Sequence, residues 1–223
     1  MGQFWTYQAI PEDAPLVERA RTETLIGYFF CRSILWALSL RSDHVDAALR
    51  DTLWRIQEGL DEGAPFALTS EAETGASELA RDVAALVSLH PGIEQRRFAF
   101  QGAARIGRAA VRGADRLHQP DAALVERLAY GGDMLAPASC DEYDNPVRIV
   151  SADEVRRGAA LLRDMNPATL YRDEPPAHEA MPWIDPNTTW SENSVGGPSD
   201  FSDWRSFYAA AAAHGEAVLC QQS

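Results

Sequence analysis

Four arginines, Arg105, Arg108, Arg112 and Arg116, recur every three or four residues in the stretch "GAARIGRAAVRGADRL". That spacing puts all four on one face of a helix, opposite Ala103, Ile106, Ala110, Ala114 and Leu117. With Arg96 and Arg97 upstream, residues 96–116 carry six Arg against a single acid, Asp115. Guanidinium groups present paired N–H donors that match the two oxygens of a carboxylate or phosphate, so the stripe has the chemistry of an anion clamp or of a contact for an acidic partner. The plainer reading is a helix face turned to water and balanced by acids from elsewhere in the chain, and it is the expected one.

A second constellation lies further on. Tyr171, Trp183 and Trp190 stand near Asp185, Glu192 and Asp200. Aromatic faces beside carboxylates could line a pocket for a cationic or sugar-like ligand. Against this, buried aromatics usually serve packing, and the expectation is a loop fastened to the core by its Trp residues. The histidines at 44, 90, 118, 178 and 214 fall in loops or at helix ends, where a cation is mildly favoured. "GAARIGR" lacks the Lys-Ser/Thr that a phosphate-binding loop requires, and "HEAMP" lacks the second His of a zinc helix. Cys140 sits beside acids that disfavour a thiolate, so it makes a poor nucleophile. No catalytic residue, metal ligand or cofactor is expected.

The balance of charge narrows the partners. Across 223 residues the net charge is −13, and all 20 basic residues are Arg. Such a chain is repelled by nucleic-acid backbones and anionic membrane surfaces, and it favours a basic partner. Three scattered cysteines, Cys31, Cys140 and Cys220, make no disulfide framework and fit a reducing, cytoplasmic setting. The first residues carry no basic and apolar pattern of a signal peptide. The run from Leu25 to Leu40 is too short for a spanning helix and has Arg32 in its middle, so it reads as a buried core helix.

These residues need elements to hold them. Gln3 to Ile10 alternates, with Trp5, Tyr7 and Ala9 to one side and Phe4 and Ile10 to the other, which predicts a strand. A short amphipathic helix follows Pro11, and the segment from about 24 to 130 is predicted to be mostly helical. "YGGDMLAP" reads as a turn into a strand, and "NPVRIVS" as a strand leading to the capping box "SADE", with Ser151 as N-cap and Glu154 three residues on. Residues 172–198, rich in Pro and Trp, read as one long loop. Phe201, Trp204, Tyr208 and Ala211 form a buried helical stripe, Gly215 ends that helix, and "EAVLC" is a closing strand that should pair within the sheet.

Three stretches, "MGQFWTYQAIPEDAPLVERA", "YGGDMLAPASCDEYDNPVRIVSADEVRRGAALL" and "DFSDWRSFYAAAAAHGEAVLC", resemble the YfbM-like family of uncharacterised bacterial proteins. Together they cover about a third of the chain. The resemblance implies an α+β fold with helices packed on a small mixed sheet, and it implies no activity. The expected architecture is a helix-rich single α+β domain spanning 1–223, with both chain ends contributing strands to one small mixed sheet. The expected function is that of a non-enzymatic acidic binding protein, immunity- or antitoxin-like, with a basic protein as partner. The alternative is an enzyme or small-ligand sensor that uses the aromatic-acidic loop, with the Arg helix as clamp.

Overall fold

The alternation at the start of the chain forms the middle strand of one half of a sheet. The computed structural model describes residues 4–20, 85, 88–93, 96–101, 103–116, 122–135, 148–172 and 196–222. In it, β1 (Phe4–Ile10) lies between β2 (Arg97–Gln101) and β5 (Ala217–Gln222). β3 (Asp133–Met134) and β4 (Arg148–Val150) extend the sheet past β5, for the order β2-β1-β5-β4-β3. Both terminal stretches therefore pair in one α+β fold, with Tyr7 opposite Cys220 and Ile10 opposite Ala217.

The sheet corrects the expectation in one respect. Among the described residues it is not mixed: all four pairings are antiparallel. A single crossover helix between β4 and β5 would return the chain parallel. Two long helices stand there instead, α4 (Ala152–Arg163) and α6 (Pro198–His214), and the pair returns it antiparallel.

One face of the sheet carries the helices. Trp5, Tyr7 and Ala9 of β1 join Val150, Val218 and Cys220 in a core with α2 (Ala103–Arg116), α3 (Ala122–Tyr130), α4 and α6. α4 begins at the capping box read from the sequence. Ser151 Oγ accepts the Glu154 N–H at 3.3 Å, and Glu154 Oε2 accepts the Ser151 N–H at 3.0 Å. Arg127 of α3 donates Nε to the other Glu154 oxygen at 2.7 Å, tying the two helices together. Burial pushes the Glu154 carboxyl up, but the Arg127 and Ser151 donors outweigh it and hold the group below the usual carboxylate range. The stripe of α6, namely Phe201, Trp204, Tyr208 and Ala211, is buried as the spacing requires. Gly215 ends α6 at φ 68°, a left-handed conformation that a side chain would disfavour. α1 (Pro15–Ala20) and the single turn α5 (Pro167–Leu170) complete the described helices.

Two tyrosines close the C-terminal end of α3. A helix leaves its last carbonyls without intrahelical partners. Here the Tyr7 hydroxyl donates to the Ala129 carbonyl and the Tyr208 hydroxyl to that of Leu128, both at 2.7 Å. Burial, with neighbouring Cys220 adding to it, lifts both phenols well above their ordinary range. A phenol whose folded-state pKa is raised contributes stability that is intact below pH ~10 and is lost as pH rises beyond it. Tyr208→Phe is therefore expected to cost about 1–2 kcal/mol at pH 7, because the Leu128 carbonyl loses its donor. It should also flatten the fall in stability above pH ~10. Urea titrations of both forms at pH 7 and pH 10.5 check this, and an unchanged alkaline slope would contradict it.

The apolar run at 25–40 and the segment 173–195 lie outside the described residues. Among the described residues, no helix is long and apolar enough to cross a membrane.

Candidate functional site

The other face of the sheet leads to a cleft. Gln8 points away from Trp5 and Tyr7 and is buried, so its amide must find partners. Its Nε2 donates to the carbonyls of Ile93 at 2.8 Å and Arg96 at 3.1 Å, and the Ala9 N–H donates to the Arg96 carbonyl at 3.0 Å. These bonds fix the turn that runs from His90 into β2. They place Arg96 beside the end of α6, where it forms an ion pair with Glu216. Glu216 follows the left-handed Gly215, and its N–H donates to the Ala211 carbonyl at 3.0 Å.

A cleft of about 450 Å³ opens there, within the size range of ligand sites. Its walls are the turn Pro11–Asp13 after β1, His90, Arg96, and the corner His214–Glu216. Glu216 is the chemically notable member. Its side chain is 3% exposed, one oxygen is held by Arg96, and the other, Oε2, is buried with no hydrogen-bond donor among the described residues. Glu12 uses Oε2 to accept the Ala152 N–H at 2.8 Å, at the first turn of α4, where the helix dipole favours a carboxylate. Asp13 is exposed. The lining thus holds three carboxylic residues against one arginine, together with two histidines. This lining suits a ligand that is cationic and rich in N–H donors. Among the described residues, no group of three or more His, Cys, Asp or Glu is arranged to hold a metal ion.

The arginine stripe behaves differently from its expectation. Arg105 is not on a water-facing surface. It is 1% exposed, and its guanidinium carbon lies 5.2 Å from the ring centroid of Tyr171. The Tyr171 hydroxyl donates to the Gly196 carbonyl at 2.8 Å, which holds the ring in place. The two candidate groups read separately from the sequence, Arg105 and Tyr171, are therefore in contact. α2 is packed by α3 and α5, and Gly107 and Gly113 allow the approach. A Cβ at Gly113 would stand 2.2 Å from Leu170 Cδ2, and one at Gly107 would stand 2.7 Å from the Tyr130 hydroxyl. Packing this close draws the first turn of the stripe into the interior. Arg108 and Arg112 are partly exposed, yet Arg108 Nη2 and Arg112 Nε and Nη2 are buried without a hydrogen-bond partner among the described residues. Burial raises the Tyr130 phenol above its ordinary value, while the nearby Arg108 charge works against it. Arg116 closes α2, and its side chain lies outside the described residues, as do Trp183, Asp185 and Trp190.

No protein-family model matches the chain, and no curated protein or solved structure matches it.

The cleft was not legible as a site. His90 and His214 read as helix-end residues, and Glu216 as the first residue of the closing strand "EAVLC". The one available signal was Glu216 itself, a charged residue set directly before an otherwise apolar strand.

Proposed function

We propose that this chain is a cytoplasmic, non-enzymatic binding protein of the YfbM-like kind, which takes up a basic side chain of a protein partner at the cleft in the manner of an immunity protein or antitoxin. One observation carries the reading: Glu216 Oε2, buried and without a donor, in a lining of three carboxylates and one guanidinium. An unsatisfied buried acceptor is unfavourable, and an incoming ammonium or guanidinium would satisfy it while adding charge complementarity. The net charge of −13 would steer such a partner from a distance and make association sensitive to salt.

Capture from lysate of the source organism at two salt concentrations, with wild-type, Asp13→Asn and Glu216→Gln baits, tests the reading. The expected result is one basic protein retained by the wild type, reduced by salt, reduced several-fold by Asp13→Asn and lost with Glu216→Gln. Asp13 is exposed and, among the described residues, makes no hydrogen bond or ion pair, so its change leaves the fold intact. Equal retention by all three baits would remove the cleft from the reading. A second reading, that of a small-ligand sensor, rests on the unfilled guanidinium edge of α2.

A further inference from the structure

We propose that Arg112 and Arg108 of α2 form a binding site for an oxyanion, the phosphate or carboxylate group of a small molecule, separate from the acidic cleft and independent of its reading. The argument starts from which nitrogens are unfilled. In a guanidinium, Nε–H and the neighbouring Nη2–H point the same way along one edge, and that edge closes on two oxygens of an oxyanion at once. In Arg112 both of these nitrogens are buried and without a partner, so a complete two-pronged edge is present and empty. Arg108 stands four residues earlier, one turn away on the same helix face, and its Nη2 is a third buried donor without a partner.

Charge points the same way. Arg105, Arg108 and Arg112 crowd three cations onto one face. Arg105 is buried against Tyr171, which stacks on its guanidinium. For Arg108 and Arg112, no ion pair or hydrogen bond from the described residues neutralises the buried nitrogens. A desolvated cation with empty donors is unfavourable, and in most proteins such groups are paired. An oxyanion would fill the edge and relieve the repulsion between neighbouring guanidiniums in one step. Both side chains are partly exposed although these nitrogens are covered, so an oxyanion reaches the edge through a shift of the side chains themselves.

The test separates a geometric site from diffuse attraction. Inorganic phosphate and, separately, succinate are titrated into the protein by calorimetry, with sodium chloride at matched ionic strength as reference. Thermal unfolding is followed under the same conditions. Binding of either anion, with Tm raised by about 5 °C at saturation, is expected for the wild type. Phosphate alone, succinate alone or both would each support the site and identify which oxyanion group it takes. Arg112→Lys keeps the charge and loses the two-pronged edge, so it should weaken binding by tenfold or more. Arg156→Gln removes a charge from the exposed face of α4 and should leave binding unchanged. Arg112→Met should have a higher Tm than the wild type without phosphate and no response to phosphate, a readout that does not depend on measuring weak affinity. No binding of either anion by the folded wild type would overturn the proposal. So would an Arg112→Lys protein that binds as well as the wild type.

Discussion

Trp204→Ala is expected to lower folding stability by about 3–5 kcal/mol, the largest single-residue loss in the described core. Trp204 is fully buried, and its ring packs edge-on to Tyr208 with centroids 5.2 Å apart and beside Phe201 at 5.9 Å. Truncation removes the transfer free energy of the indole and leaves a cavity between α6 and the rest of the helical layer. Neighbours cannot fill it cheaply, because Tyr208 is held by its hydroxyl to the Leu128 carbonyl. Tyr7, whose ring lies 6.3 Å from that of Tyr208, is likewise held to Ala129. Urea unfolding followed by far-ultraviolet circular dichroism measures the loss. A cost below about 1 kcal/mol would mean that α6 repacks freely and that the aromatic layer is not the core. The consequence reaches the cleft, since α6 runs through Gly215 directly into Glu216.

Arg96→Met is expected to cost about 3 kcal/mol, because it removes the one donor that the described residues offer to a buried carboxylate and leaves both Glu216 oxygens without a partner among them. Arg96 is itself 26% exposed, so water tempers the loss, and a value at the lower end of the range for broken buried pairs is expected. The double variant Arg96→Met/Glu216→Leu should recover most of that stability, since a buried pair exchanged for packed apolar groups is often neutral or better. The recovery is diagnostic. If the double variant is as unstable as the single, the loss comes from the turn that Gln8 anchors and not from the stranded carboxylate. Recovery of stability together with loss of the basic partner would assign Glu216 to binding instead of folding.

Much of the scaffold was legible because it rests on local periodicities. The alternation of Trp5, Tyr7 and Ala9 needs only the pleat of a strand, and the spacing of Phe201, Trp204, Tyr208 and Ala211 needs only the pitch of a helix. Ser151 and Glu154 satisfy each other's backbone three residues apart, so the start of α4 is written in a four-residue word. β2 was not separated from the helical segments around it. Its five residues, "RFAFQ", are too short a run for alternation to outweigh the longer patterns on either side. Strand direction was not legible either, because a mixed and an antiparallel sheet can be built from the same strands, and only the path through α4 and α6 decides between them.

The sequence by itself determined that strands at the two ends of the chain and helices between them would bury an aromatic layer, and that a strongly acidic molecule would carry one cationic helix. Those properties follow from the order, spacing and charge of neighbouring residues. Tertiary structure alone decided that Arg105 would leave the water-facing side of its helix for Tyr171, 66 residues away, that Arg112 would keep an empty guanidinium edge, and that Glu12, Asp13, His90, Arg96 and Glu216 would meet at one cleft. The physical reason is that burial and pairing of a charge depend on what packs against it. In this fold the neighbours of the arginine helix are α3, α5 and Tyr171, and those of the cleft come from the turn after β1, the turn before β2, and the corner between α6 and β5.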